Sequence, residues 1–74
     1  MIINGIEFKW KMIENRHYKN GGIYHRNLHF LTKENMLYYK KYTTNGLKRK
    51  RKGNKLFYIN ENGNYDLTFD MFKE

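Results

Sequence analysis

The first part of the chain alternates between apolar and polar residues. From Ile6 to Met12 every second residue is apolar, and the residues between them are charged. Successive side chains of a strand point to opposite faces of a sheet, so this pattern predicts a strand with one apolar face. It also predicts that Trp10 lies in the core. The apolar positions are Ile6, Phe8, Trp10 and Met12.

Asn-Gly dipeptides divide the chain at four positions, which are Asn4-Gly5, Asn20-Gly21, Asn45-Gly46 and Asn62-Gly63. This dipeptide favours the tight turns of β-hairpins, because both residues tolerate the positive φ angles that such turns require. Turns at these positions predict an antiparallel meander of five or six short strands.

The loop at residues 20–22 decides which side chains of the first hairpin face each other. A three-residue loop there predicts that Met12 pairs with Phe30, which extends the apolar face. The same register predicts that His17 lies opposite His25 on the other face of the sheet. Further pairs of this register are Tyr18 with Tyr24 and Arg16 with Arg26.

Residues 32–43 carry signals for both a helix and a strand. Thr32 is suited to cap a helix whose first turn would contain Glu34. The tyrosine-rich composition of the segment and the neighbouring Asn45-Gly46 turn favour a strand. We therefore predict a strand here, with one short helix as the alternative.

Five consecutive cations, Lys48–Lys52, follow the Asn45-Gly46 turn and supply most of the formal net charge of +8. With a pI of about 9.8, the chain meets the usual electrostatic criterion for nucleic-acid-binding domains. We predict a basic hairpin over residues 43–55. Its expected cross-strand pairs are Tyr42 with Arg49, Lys41 with Lys50 and Lys40 with Arg51.

These patterns predict a single β-rich domain over residues 1–74, either all-β or β-rich α+β. The expected form is a curved sheet or small barrel of SH3-like or OB-like kind. A turn at Asn62-Gly63 would place Leu56 beside Phe69 and Tyr58 beside Leu67, which closes a second apolar patch.

Composition narrows the classes of protein further. The 74 residues contain no Cys, which excludes disulfides and thiolate metal sites. Pro, Ala, Val, Ser and Gln are also missing, while Asn, Lys and Tyr are abundant, as an AT-rich coding sequence of a bacterium, phage or mobile element would give. No apolar segment approaches the roughly 20 residues of a membrane span. We expect a protein of the bacterial or phage-infected cytoplasm, without membrane contact or cofactor.

The basic hairpin is the strongest indication of function. Lys and Arg bind phosphates with release of counterions, and aromatic rings beside them can stack on unpaired bases. We predict a non-catalytic protein that binds RNA or single-stranded DNA. The candidate contact residues are Tyr39, Lys40, Lys41, Tyr42, Lys48, Arg49, Lys50, Arg51, Lys52 and Lys55.

Two other functions remain open at this stage. A phage-encoded or mobile-element inhibitor, of anti-CRISPR-like kind, would dock the same basic hairpin on an acidic host protein or nucleoprotein complex. A small ribonuclease would use His17 and His25 as acid and base with Arg26 beside them. We expect no metal site, since on a strand His25 and His29 lie about 13 Å apart. The sequence is compatible with a monomer or a homodimer.

Overall fold

The computed structural model describes residues 1–60 and 62–74. Its elements in chain order are β1 (Ile2–Ile3), β2 (Ile6–Glu7), β3 (Trp10–Tyr18), β4 (Ile23–Phe30), α1 (Lys33–Thr43), β5 (Lys48–Lys52), β6 (Lys55–Ile59) and β7 (Tyr65–Lys73).

The strands form two antiparallel sheets. β1 and β2 pair with each other, and the remaining strands form a five-stranded sheet in the order β4-β3-β7-β6-β5. The predicted small β-rich domain is confirmed. The sheet curls without closing into a barrel, because β4 and β5 are at its two edges and do not pair with each other.

The first predicted strand is divided into two parts. Asn4 and Gly5 both have positive φ angles, of 52° and 79°, as a two-residue hairpin turn requires. This turn pairs β1 with β2, which ends at Glu7, and the main sheet begins only at Trp10. Trp10 itself is half-buried, and the Lys33 ammonium lies 5.7 Å from the centre of its ring.

The predicted register of the first hairpin is wrong by two residues. Gly21, with a φ of 90°, takes the left-handed position of the turn, and the Tyr18 amide donates to the Gly22 carbonyl at 2.8 Å. The loop therefore begins one residue earlier than predicted, and Met12 faces Leu28. A shift of two residues preserves the faces, so the apolar side of the strand is still the one predicted.

The observed register also removes the like-charged pair that the prediction contained. Arg16 faces Tyr24, and Arg26 faces Glu14. Opposite charges across a strand pair are stabilising, whereas two arginines directly opposite each other are destabilising. Side-chain electrostatics therefore favours the register that the Gly21 turn produces.

Residues 33–43 form a helix, so the strand prediction for this segment is wrong. Thr32 caps the helix, because its hydroxyl oxygen accepts a hydrogen bond from the Asn35 amide at 3.1 Å. Met36 is 1% exposed, so the helix is held over the sheet by the burial of an apolar side chain. Burial of this kind outweighs the weak strand preference of tyrosine.

The core lies between α1 and one face of the sheet, which we call the helix face. Its buried apolar side chains are Met12, Met36, Tyr58 and Leu67. Tyr58 lies opposite Leu67 across β6 and β7, as predicted. The core is small, so each of these side chains supplies a large share of the apolar burial.

A carboxylate is buried in this core. Glu14 is 2% exposed and accepts a hydrogen bond from the Tyr39 hydroxyl at 3.4 Å. The Arg26 guanidinium lies 4.0 Å from the same carboxylate oxygen, and half of the Arg26 side chain is exposed. Burial and the nearby Glu14 charge raise the pKa of the Tyr39 phenol above its ordinary value.

We expect Thr32→Ala to lower the free energy of unfolding by about 1 kcal/mol, because it removes the helix cap. Urea unfolding followed by circular dichroism measures this difference. Thr32→Ser is the matched control, since it keeps a hydroxyl that can accept from the Asn35 amide. Equal loss in both variants would show that the cap does not support the helix.

Candidate nucleic-acid interface

The five cations of Lys48–Lys52 form the edge strand β5, and all five are exposed. Among the ion pairs of residues 1–60 and 62–74, none involves a β5 side chain. All five side chains are accessible to solvent.

The hairpin that contains these cations is not the predicted one. β5 pairs with β6, and the turn between them is at Gly53, with a φ of 61°, and Asn54. The predicted pairing of β5 with residues 40–42 is wrong, because those residues belong to α1. Four of the five β5 cations face an apolar residue of β6, which avoids most of the like-charge repulsion in the predicted pairing.

Alternation divides the five cations between the two faces of the sheet. Arg49 faces Tyr58 and Arg51 faces Leu56, which places both arginines on the helix face. The three lysines are on the opposite face, which no helix covers and which we call the open face. There the Lys52 ammonium lies 5.4 Å from the centre of the Phe57 ring. The lysines at these positions are Lys48, Lys50 and Lys52.

A groove of about 500 Å³ separates the C-terminal half of α1 from β5. Lys40 and Lys41 line it from the helix, and Arg49 lines it from the strand. Tyr58 of β6 also lines it. The helix therefore brings two predicted contact residues to the same cavity as one of the β5 arginines.

Lys40 lies between this groove and a second cavity of about 280 Å³ beside β6 and β7. Its ammonium is 5.5 Å from the centre of the Tyr58 ring and 5.8 Å from that of Phe69. Lys55 lines the second cavity. The helix side of the β5–β6 hairpin is thus a cationic surface with aromatic rings beneath it.

The tyrosines that the structure exposes are not all the ones predicted to contact a base. Tyr39 is half-buried, with its ring 5.5 Å from that of Phe30 and its hydroxyl donating to Glu14, so it is less accessible to a base than an exposed tyrosine. Tyr42 is 74% exposed, and Tyr38, which is absent from the predicted contacts, is 73% exposed. Their spacing of four residues indicates a shared surface only once the segment is assigned to a helix.

His17 and His25 share the open face, but they are not directly opposite each other. His17 faces Ile23 and contacts the Thr68 hydroxyl at 2.9 Å, whereas His25 faces Asn15. Arg26 lies on the helix face with Glu14. The structure therefore separates the arginine of the ribonuclease hypothesis from its two histidines.

A short hydrogen-bonded chain orients His25. The Asn15 amide group donates to Asp70 Oδ2 at 3.2 Å, which leaves Asn15 Oδ1 to accept from His25 Nδ1. Neutral His25 would therefore carry its proton on Nδ1. Among residues 1–60 and 62–74, no group of three metal-binding side chains is placed to hold an ion.

Comparisons with known proteins return no match for this chain among family models, curated proteins or solved structures. In the part of the chain that the structure describes, α1 is too short and too polar to cross a membrane.

Proposed function

We propose that this protein is a small non-catalytic binding protein whose ligand is nucleic acid, held by the basic strand β5 and the groove beside it. The observation that carries the proposal is the combination of an exposed cationic edge strand, whose side chains make no ion pair within residues 1–60 and 62–74, with a groove that Lys40 and Lys41 also line. Each phosphate that these cations neutralise releases counterions, so the affinity does not require a particular base sequence.

The edge position of β5 and the net charge of the chain also support nucleic acid as the ligand. An uncovered edge strand can approach a polyanion without rearrangement of the core. With a formal net charge of +8, the chain also attracts nucleic acid over a distance. We place the protein in the cytoplasm of a bacterial or phage-infected cell, where nucleic acid is accessible.

The proposal predicts a steep dependence of affinity on salt that originates in β5. We expect wild-type affinity for RNA to fall as salt rises, with a slope of about −0.7 per phosphate contact on single strands. Changing Lys48, Arg49, Lys50 and Arg51 together to Gln should weaken binding and make the slope shallower by about 3, if each cation contacts one phosphate. Fluorescence anisotropy of labelled RNA across a salt series measures both quantities.

The matched control changes to Gln four exposed lysines that do not line the groove. Both sets of substitutions lower the formal net charge from +8 to +4, so a general charge effect would be equal in the two variants. Equal slopes in both variants would contradict the proposal and would favour an acidic protein surface as the partner. The control lysines are Lys9, Lys19, Lys33 and Lys73.

A further inference from the structure

We infer that the interface is built for single-stranded nucleic acid, with unpaired bases stacked on Tyr38 and Tyr42. This inference rests on the proposed function and adds the strandedness of the ligand and two residues that contact it. It depends on the position of the two exposed rings relative to the cations of the groove.

Tyr38 and Tyr42 are the most exposed of the large apolar side chains in the described part of the chain. They are four residues apart on α1, so they lie on the same side of the helix, about one turn from each other. A cavity of about 240 Å³ lies between them and is also lined by Lys41 and Asn45. The two rings are therefore available to a flat partner.

Lys41 connects this tyrosine pair to the groove, because it lines both cavities. A strand whose bases contact the tyrosines can place its phosphates at Lys41 and continue towards Arg49 across the groove. Cations beside aromatic rings are the combination that single-strand-binding surfaces use, since charge holds the backbone and the rings hold the bases.

A duplex would gain little from this arrangement. Its bases are stacked on each other inside the helix, so it offers phosphates and groove edges to the protein. The cations of the groove can bind those phosphates, but the Tyr38 and Tyr42 rings have no exposed base face to stack on. The tyrosine pair thus favours single strands over duplexes by the stacking contribution alone.

The test measures binding of one nucleotide sequence in three forms, which are single-stranded RNA, single-stranded DNA and a duplex. Its length is about 12 nucleotides, which lies within the site sizes of single-strand-binding domains. For Tyr38→Ala with Tyr42→Ala, we expect single-strand affinity to fall at least about tenfold and duplex affinity to change less than about twofold. Both sites are exposed, and Ala favours helix, so the fold should be retained.

Two controls separate stacking from other causes. Replacing both tyrosines with Phe keeps flat rings, so it should retain single-strand binding. Tyr24→Ala removes a ring that is 53% exposed on β4, the edge strand opposite β5, and that lines neither the groove nor the cavity between Tyr38 and Tyr42, so it should have no effect. A loss in the Phe variant as large as that in the Ala variant would show that the hydroxyls matter and would overturn the stacking inference.

Failure of this inference can be distinguished from failure of the proposed function. If wild type binds single strands and duplex equally and the Ala variant matches it, the inference is overturned while binding through β5 stands. If wild type binds none of the three probes near physiological salt, both are overturned, and the tyrosine pair becomes a candidate contact for a protein partner.

Discussion

We expect Met12→Ala to lower the free energy of unfolding by about 2–5 kcal/mol. Met12 is fully buried, and it lies in the central strand β3 between Leu28 of β4 and Met71 of β7. Truncation to Ala removes buried methylene and sulfur atoms and leaves a cavity that neighbouring strands cannot close without losing pairing.

This loss is large for a chain of 74 residues, because domains of this size are stable by about 4–11 kcal/mol in total. Urea unfolding monitored by circular dichroism measures the difference. Met12→Leu is the matched control, since it conserves most of the volume and should cost less than about 1.5 kcal/mol. A Met12→Ala variant with wild-type stability would show that Met12 does not pack in the core.

We expect opposite results from removing the two partners of the ion pair between half-exposed Arg26 and buried Glu14. Arg26→Met leaves the Glu14 carboxylate in the core with only the Tyr39 hydroxyl, at a cost of about 1–3 kcal/mol for a polar group that loses its partner. Glu14→Met removes the buried charge itself and should leave the free energy of unfolding unchanged or raise it. Denaturant unfolding of both variants tests the difference in sign.

Titration of the Tyr39 phenol provides an independent measurement of the buried Glu14 charge. The Glu14 charge contributes to the raised pKa of the Tyr39 phenol, so Glu14→Met should bring that pKa closer to 10.0, although burial still raises it. In the wild type the folded state holds this proton more tightly than the unfolded chain. The contribution of Tyr39 to stability is therefore present below pH 10.0 and is lost as the pH rises through the folded-state pKa.

A destabilised Glu14→Met variant would contradict the expected sign. It would show that the hydrogen bond from Tyr39 and the pairing with Arg26 together stabilise the fold by more than the desolvation of the carboxylate costs. An unchanged Tyr39 pKa in that variant would show that burial alone accounts for its elevation.

The alternation of side chains predicts which residues of β3 share a face of the sheet. It does not determine which residue of β4 lies opposite each of them. The even-numbered residues from Trp10 to Arg16 share the helix face, as predicted. Their partners on β4 differ from the prediction because either Gly21 or Gly22 could have adopted the left-handed conformation at the turn. That choice depends on cross-strand contacts such as Glu14 with Arg26, which are known only once the strands are paired.

The helix and the basic hairpin depend on tertiary contacts that local sequence signals do not contain. Thr32 and Glu34 are a valid start signal, but the tyrosines that follow favour a strand when each is considered alone. The burial of Met36 against the sheet decides the outcome, and it is a tertiary contact. Because residues 33–43 are helical, β5 pairs with β6 instead, and the groove forms between α1 and β5.

Within the described residues, the ladder between β6 and β7 contains two residue pairs, Tyr58 with Leu67 and Ile59 with Asp66, and the Asn60 amide donates to the Tyr65 carbonyl beyond them. Amide hydrogens of β5 should therefore exchange with solvent through local opening, at a lower free energy than those of β3, which is paired on both sides. Since all five β5 side chains are exposed, we also expect substitutions there to affect the core less than substitutions in β3. On this expectation, the charge pattern of β5 can be redesigned for a different anionic ligand while the remainder of the domain keeps its stability.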